Sequence, residues 1–185
     1  DLFARMDAAA PPHALLASSS SGLAVTEFQA RCRHPQRVVL GHPFSPPHLI
    51  PLVEVGGGQK TSPQAVAQAM DFYAALGKRP IHVRREMPGH IANRLQAALW
   101  REAFHLVQQG AASVEDIDTA IAHGPGLRWA LMGPFMNLHL AGGEVVGSVA
   151  ARRVGEAGRG EHRTARAAQP AVQGRSGGDR SAAAH

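Results

Sequence analysis

The sequence predicts an α/β fold that passes into an all-helical part and then into an unstructured tail. Up to residue 87, short apolar runs alternate with a helical segment, which is the pattern that an α/β sheet produces. From residue 88 the apolar residues recur at helical spacing. From about Val145 regular apolar spacing is lost, and Arg, Ala, Gly and Ser dominate. We therefore predict domains over residues 1–87 and 88–144, followed by a disordered or frame-shifted extension over residues 145–185.

Four apolar runs are the candidate strands of the sheet. They span residues 14–17, 37–42, 49–55 and 80–83. Pro51 interrupts the third run, and proline cannot donate a hydrogen bond to a neighbouring strand, so that run predicts the least regular strand. One helix is predicted between the third and fourth runs. Ser62 is a good N-cap, Pro63 suits the first helical position, and Gly77 ends the helix.

The part after residue 87 contains three candidate helices. The first spans about residues 88–109 and is predicted from apolar residues at helical spacing, namely Ile91, Leu95, Leu99 and Leu106. Ser113-Val-Glu-Asp116 resembles a capping box, which predicts the start of the second helix. The third is predicted over residues 129–140. These helices would form the second domain.

The net charge of +5 is unevenly distributed along the chain. Residues 151–185 carry seven Arg against three acidic residues, whereas residues 1–150 carry twelve basic and eleven acidic residues. The globular part is therefore nearly neutral, and we predict no nucleic-acid partner. A membrane span is not predicted either, because the sequence has no uninterrupted apolar run of about 18 residues or more.

The single cysteine, Cys32, excludes an internal disulfide bond and indicates a reducing compartment, so we expect a cytoplasmic protein. Cys32 itself is expected to pack as a small apolar side chain, because no neighbouring group in the sequence activates it. The chain begins with Asp-Leu-Phe-Ala-Arg-Met-Asp, without an initiator Met or the apolar run of a signal peptide. This start indicates an internal segment of a longer protein.

His42 and Glu54 lie near the ends of two candidate strands that a short Pro-rich segment connects. Neighbouring strands can bring an imidazole and a carboxylate within hydrogen-bond reach. The carboxylate would then fix the tautomer of the imidazole and leave its other nitrogen free to act as a base. Oxidation of an alcohol needs such a base, together with a cofactor that accepts a hydride. The spacing alone is equally compatible with a His and a Glu in structural roles.

Four segments, in this order, resemble the 3-hydroxyacyl-CoA dehydrogenase family over about residues 1–144. They read LASSSSGL, GHPFSPPHLIPLVEV, PGHIANRL and GPGLRWALMGPF. The resemblance implies the carboxy-terminal part of a Rossmann-type NAD-binding domain, followed by a helical domain that forms a homodimer interface. It also implies NAD as the cofactor and a small-molecule substrate. The implied reaction oxidises the 3-hydroxyl of an L-3-hydroxyacyl-CoA, or of a related 3-hydroxy acid, to the 3-keto form.

The resemblance also assigns roles to single residues by position. His42, in Gly-His-Pro-Phe, matches the catalytic base of the family, and Glu54 matches the carboxylate that orients it. Ser21 matches a hydroxyl that contacts both substrate and nicotinamide. Asn93, in Ala-Asn-Arg-Leu, matches an amide that binds the substrate oxygen. The implied cofactor contacts are Ser19, Ser21 and Ser45, and no metal is implied.

The sequence departs from the family pattern at two points. The family usually has Asn at the position of Ser45, so a contact to the nicotinamide or ribose is expected to be weaker. The strand–GxGxxG–helix fingerprint for dinucleotides does not occur, and the resemblance places it in a segment that would precede Asp1. Gly56-Gly57-Gly58 lacks the spacing of such a turn, and we interpret it as a flexible turn. Tight NAD binding is therefore not expected of this chain alone.

The substrate class stays open between two branches of the family. The stretch GPGLRWALMGPFMNLHLAGGE is closer to the carnitine and gulonate dehydrogenases than to the fatty acyl-CoA branch. Both branches would use the same pair of His and Glu residues.

A serine hydrolase is not predicted, because Ala17 and the serines themselves break the pattern of a nucleophile elbow. A zinc site is not predicted, because the gaps between the histidines do not match the spacing of zinc ligands. The competing hypothesis is a truncated, non-catalytic fragment whose wide apolar helical faces serve only for dimerisation.

Overall fold

The computed structural model describes residues 2–141, which belong to two compact units. The first unit ends at Asp118, and the second begins at Thr119. The predicted tail over residues 145–185 lies outside the described residues, as do residues 142–144 of the predicted helical domain. The predicted domain boundary at residue 87 stays a prediction.

A four-stranded sheet forms the centre of the first unit, in the order β1-β2-β3-β4. Its strands are β1 (Leu16–Ser18), β2 (Val38–Pro43), β3 (Leu52–Gly57) and β4 (Arg79–Val83). The pairs β1–β2 and β3–β4 are parallel, whereas β2 and β3 are antiparallel. All four predicted strands are confirmed. The third starts only after Pro51, because Leu49 and Ile50 donate their N–H groups to the Pro46 carbonyl in a turn.

One face of the sheet packs against α3 (Pro63–Ala75). Successive strand residues point to opposite faces, so alternate valines of β2 and β3 share this core; its buried members are Val39, Val53, Val55, Ala65 and Ala69. The helix begins as predicted, since the Ser62 hydroxyl accepts the N–H of Ala65 and Pro63 follows it. It ends before Gly77, which has a φ of 76°.

The other face of the sheet packs against two helices that the sequence does not predict, α1 (Leu2–Ala9) and α2 (Val25–Gln29). The core on this face contains Leu16, Val25, Val38 and Leu40, with Phe3, Met6 and Phe28 at its edge. Cys32 packs at the same edge, as expected of a small apolar side chain. Burial raises the pKa of the Cys32 thiol, and the negative charge of Asp7 raises it further. Both effects disfavour the reactive thiolate.

A buried ion pair ties α1 to the start of β2. The Arg37 guanidinium lies 2.7 Å from Asp7 Oδ1, and Oδ2 of Asp7 accepts the N–H groups of Arg33 (2.6 Å) and His34 (3.0 Å). Burial alone would raise the pKa of Asp7, but the hydrogen bonds from His34, Arg37 and Arg33 outweigh it and hold the pKa below its ordinary value. The carboxylate therefore remains ionised inside the protein.

The interpretation of Gly56-Gly57-Gly58 as a flexible turn is wrong. Gly56 and Gly57 are the last two residues of β3. A Cβ atom at Gly58 would lie 2.6 Å from both the backbone nitrogen of Thr26 and the side-chain amide of Gln29. A residue without a side chain is required at position 58, because α2 packs closely against the backbone there. Close packing, and not flexibility, explains this glycine.

The described residues after β4 are mainly helical, as predicted. The first two helices are α4 (Ala92–Gln108) and α5 (Val114–Ala122). α4 starts later than predicted, because Gly89 and His90 have φ values of 74° and 48°, which a right-handed helix does not contain. The capping box is present: Asp116 donates its N–H to the Ser113 hydroxyl, and its carboxylate accepts from the N–H and hydroxyl of Ser113.

The third predicted helical segment, residues 129–140, contains α7 (Pro134–Leu140), and a separate short helix, α6 (Pro125–Trp129), ends where that segment begins. α7 starts five residues later than predicted, because Pro134 has no N–H for an intrahelical bond and restricts Gly133 to an extended conformation. Among residues 2–141, no helix combines the length and apolar character that crossing a membrane requires.

Candidate active site

His42 and Glu54 are directly opposite each other in the antiparallel pair of β2 and β3. Opposed residues of such a pair have neighbouring Cβ atoms, so side chains on the same face meet. His42 Nδ1 lies 3.0 Å from Glu54 Oε2. Both residues are buried, with 6% of His42 and none of Glu54 exposed. The contact predicted from the two strands is therefore present.

The second oxygen of Glu54 binds the start of α4. Oε1 accepts the backbone N–H groups of Ile91 at 2.8 Å and of Ala92 at 2.9 Å. The first turn of α4 contains no acidic residue, and its N-cap residue provides no side-chain cap. Glu54 takes that place from the sheet, where its negative charge also meets the positive end of the helix dipole. These bonds compensate the burial of the carboxylate and fix its direction.

Ser21 completes a hydrogen-bonded series with this pair. Its Oγ lies 3.2 Å from His42 Nε2. The serine run after β1 forms a tight turn, in which the Ser18 hydroxyl accepts the N–H of Ser20, and the Ser20 hydroxyl accepts the N–H of Leu23. An ionised Glu54 can only accept, so Nδ1 of His42 carries the proton. Nε2 is then the free acceptor that faces the Ser21 hydroxyl.

This series opens on a cavity of about 280 Å³. The residues that line it are Ser21, His42, Phe44, Ser45, Asn93 and Gln96. Four of the residues expected to act on substrate or cofactor thus meet at one cavity, with Glu54 hydrogen-bonded to His42. Ser19 is exposed and is not among the lining residues. Its role as a cofactor contact stays a prediction, as do the roles assigned to the other five.

Gln96 is a lining residue that the sequence analysis did not single out. It follows Asn93 by three positions in α4, so both amides lie on the same face of the helix. Both side chains are half-buried, and neither has a hydrogen-bond partner among residues 2–141. The helical spacing from Asn93 is the signal that identifies Gln96 in retrospect. Two amides are therefore available to a ligand in the cavity.

The lining residues fit the nicotinamide end of NAD. The hydroxyl groups of Ser21 and Ser45 can hydrogen-bond to its carboxamide, and the Phe44 ring provides an apolar wall. Residues 2–141 contain no group of three or more His, Cys, Asp or Glu side chains that could hold a metal ion. The cavity thus offers hydroxyls, amides and one imidazole.

Comparison with known proteins extends the likeness over nearly the whole chain. Residues 1–87 match "3-hydroxyacyl-CoA dehydrogenase, NAD binding domain", and residues 89–181 match "3-hydroxyacyl-CoA dehydrogenase, C-terminal domain". The L-carnitine dehydrogenase of Streptomyces coelicolor is 58% identical over 144 residues. These residues are 78% of this chain and 45% of that protein, so the chain spans less than half of its relative.

Two solved structures show the same fold. The NAD⁺-dependent 5-formyl-3-hydroxy-2-methylpyridine 4-carboxylic acid 5-dehydrogenase has a TM-score of 0.75 and 36% identity, and the match covers 84% of this chain and 50% of that one. The 3-hydroxybutyryl-CoA dehydrogenase of Escherichia coli has a TM-score of 0.62 and 32% identity, covering 65% of this chain and 25% of that one. The predicted fold class, a Rossmann-type sheet followed by helices, is thereby confirmed.

Sequence, site geometry and fold all agree on one family. Three of the segments that suggested it contain Ser21, His42 and Asn93, which line one cavity, and Glu54, which is hydrogen-bonded to His42. The two matched domains follow one another along the chain in the order that the resemblance implied. The chain belongs to the 3-hydroxyacyl-CoA dehydrogenase family.

Proposed function

We propose that this chain carries the catalytic part of an NAD-dependent dehydrogenase that oxidises the 3-hydroxyl group of a small 3-hydroxy acid to the 3-keto form. The observation that supports this most is the hydrogen-bonded series Glu54–His42–Ser21, which opens on the cavity that Asn93 lines. The series places a base, a hydroxyl and an amide around a single space. Proton removal from an alcohol needs this combination.

His42 is the proposed base. A substrate hydroxyl in the cavity would donate its proton to Nε2, at the place where the Ser21 hydroxyl lies in this structure. Glu54 accepts from Nδ1 and stabilises the imidazolium that forms. Because α4 holds the other oxygen of Glu54, the carboxylate cannot turn away during this step. Asn93 would donate to the substrate oxygen as the carbonyl forms.

The proposed cofactor contacts are Ser19, Ser21 and Ser45. When bound, NAD would accept the hydride that leaves C3 of the substrate. Ser21 and Ser45 line the cavity, and Ser19 lies two residues before Ser21 in the same serine turn. The match of residues 1–87 to an NAD-binding domain supports this assignment.

We propose L-carnitine as the substrate. The L-carnitine dehydrogenase of Streptomyces coelicolor is 58% identical to this chain, whereas the Escherichia coli 3-hydroxybutyryl-CoA dehydrogenase is 32% identical. L-Carnitine is a 3-hydroxy acid with a quaternary ammonium group. The amides of Asn93 and Gln96 can bind its oxygen atoms, and the ring of Phe44 can face its cation.

We further propose a homodimer that forms through α4, in the cytoplasm. Two large apolar side chains that lie one turn apart on this helix are exposed in the isolated chain: Trp100 by 55% and Phe104 by 69%. Apolar faces of this kind commonly pair across a two-fold axis. The free thiol of Cys32 is compatible with a reducing compartment.

The competing hypothesis of a non-catalytic dimerisation module has no support in the comparisons. The geometry weighs against it as well. The cap of α4 explains the burial of Glu54, but it does not explain why His42 faces a cavity. A cavity lined by two unpaired amides has no use in such a module either.

The test is NADH formation from L-carnitine and from L-3-hydroxybutyryl-CoA. Two proteins are compared: this chain, and the chain extended with the amino-terminal segment of the Streptomyces coelicolor L-carnitine dehydrogenase that precedes the matched region. We expect the extended protein to oxidise L-carnitine and the chain alone to be far less active. A folded, NAD-binding extended protein that oxidises neither compound would show that the dehydrogenase proposal is wrong. Oxidation of the acyl-CoA alone would overturn the choice of substrate.

A further inference from the structure

His90 is a buried side chain in the loop between β4 and α4, and the proposed mechanism leaves it without a role. Only 5% of it is exposed. Its φ of 48° makes it the one non-glycine residue with positive φ within residues 2–141. A backbone in this region costs free energy and persists where the surroundings hold it in place. Such conformations are concentrated at functional sites, so the contacts that hold His90 in place indicate its role.

The imidazole of His90 contacts the serine turn. Its Nε2 lies 2.9 Å from the carbonyl oxygen of Ser20, a residue 70 positions earlier in the chain. A carbonyl only accepts, so Nε2 of His90 carries the proton and donates it. Ser20 directly precedes Ser21, whose hydroxyl lies 3.2 Å from His42 Nε2. His90 therefore anchors the backbone from which Ser21 reaches the proposed base.

The same ring also packs against His42. The centroids of the two imidazoles are 5.1 Å apart, and their planes are inclined by 56°. The residues that follow His90, namely Ile91 and Ala92, donate their N–H groups to Glu54. One short loop thus contacts the turn that carries Ser21, the ring of His42 and the carboxylate of Glu54. Its position sets the geometry among all three.

We propose that His90 is a positioning residue for the active site, a role that rests on the proposed function. The hydrogen bond from His90 Nε2 to the Ser20 carbonyl fixes the serine turn, and with it the distance between the Ser21 hydroxyl and His42 Nε2. The ring keeps His42 from tilting away from Glu54. An apolar side chain could fill the same space, but it could not supply the hydrogen bond.

Two substitutions in the extended protein separate the hydrogen bond from the packing. His90→Phe keeps a ring and removes the donor, whereas His90→Gln places an amide N–H close to the former position of Nε2. We expect His90→Phe to lower kcat for L-carnitine about tenfold to a hundredfold, because small displacements of catalytic groups have effects of this size. KM should change little. His90→Gln should keep most of the wild-type kcat.

Either of two kinetic results would overturn this proposal. One is a wild-type kcat in His90→Phe, and the other is an equal loss in both variants at unchanged melting temperature. A purely structural role would lower the melting temperature of His90→Phe and leave kcat per folded molecule unchanged.

A second measurement needs no turnover. Nitrogen-15 NMR of the histidine rings in the 185-residue chain should show a proton on Nε2 of His90. A proton on Nδ1 alone would contradict the hydrogen bond to Ser20. If the NMR result is as expected and the wild-type extended protein is inactive, the proposed function fails while the structural contact stands.

Discussion

At the scale of single residues, the protein contains two buried pairs of a basic and an acidic side chain, and the two pairs differ in what surrounds them. The pair of Asp7 and Arg37 is enclosed by backbone groups that donate to it and accept from it. The pair of His42 and Glu54 has a comparable set of partners, but His42 also faces a cavity. Within residues 2–141, every buried polar side-chain atom has a partner. We call Asp7–Arg37 the closed pair, because protein groups surround it, and we expect it to stabilise the fold. His42–Glu54 is the open pair, because His42 faces the cavity and is available for chemistry.

The closed pair leads to a prediction on stability. Asp7→Asn should lower the free energy of unfolding by about 3 kcal/mol, because it leaves a buried guanidinium without its counter-charge. Urea denaturation of the chain measures this difference. Asp71→Asn, an exposed position in α3, is the matched control and should change stability little. Equal stability of the two variants would show that the pair contributes nothing.

The pH dependence of this effect has a definite sign. The pKa of Asp7 in the folded protein lies below its ordinary value of about 3.9. The stabilisation is therefore complete above about pH 4 and is lost as the pH falls through the lower folded pKa. The difference in unfolding free energy between wild type and Asp7→Asn should shrink correspondingly at low pH. A difference that grows on acidification would contradict the assignment.

The sequence predicts part of the site at this scale. His42 and Glu54 could be paired because each falls in a strand and a short connection makes the strands neighbours. His90 could not be identified in this way, and the helical spacing of Gln96 from Asn93 identifies Gln96 only once Asn93 is known to line the cavity. Their roles depend on the contact with Ser20 and on the lining of the cavity, and these arise only when loops distant in sequence come together.

At the scale of elements, local signals succeed where an element is stabilised by its own residues. Ser62 caps α3 and Gly77 follows its end, so the sequence predicts both limits. α4 is different, because Glu54, 37 positions before Ile91, binds its first N–H groups. No local pattern indicates such a cap, and the predicted start was four residues early. Similarly, α1 is held by the distant Arg37, and the sequence does not predict it.

The corrected interpretation of Gly58 is testable at the scale of elements. Gly58→Ala should destabilise the chain by about 1–3 kcal/mol, because its Cβ would overlap α2 at Thr26 and Gln29. Gly22→Ala is the matched control, since a Cβ at Gly22 meets nothing within 4 Å. Thermal and urea denaturation of both variants measure the difference. If Gly58→Ala is as stable as Gly22→Ala, the backbone at residue 58 can move to accept a side chain. That result would contradict close packing and favour a flexible turn.

At the scale of the whole molecule, the exposed apolar side chains of α4, Trp100 and Phe104, form the proposed dimer interface. We expect the extended protein to be a dimer by sedimentation velocity, and Phe104→Asp to shift it to the monomer, because a buried carboxylate is costly at an apolar interface. Leu49→Asp is the control, as Leu49 is equally exposed (71%) but lies in the Pro-rich connection. A monomeric wild-type protein would contradict the dimer, and a dimer in both variants would show that the interface lies elsewhere.

The proposed role of His42 as the base of a dehydrogenase has a direct kinetic test. The test compares kcat/KM for L-carnitine between the extended protein and its His42→Gln variant, with folding of both checked by circular dichroism. Gln places an amide close to the former position of His42 Nε2, but this amide cannot take up a proton. We predict that kcat/KM falls by about 10²- to 10⁴-fold, the usual contribution of a general base. A folded His42→Gln variant with the wild-type kcat/KM would show that His42 is not the base.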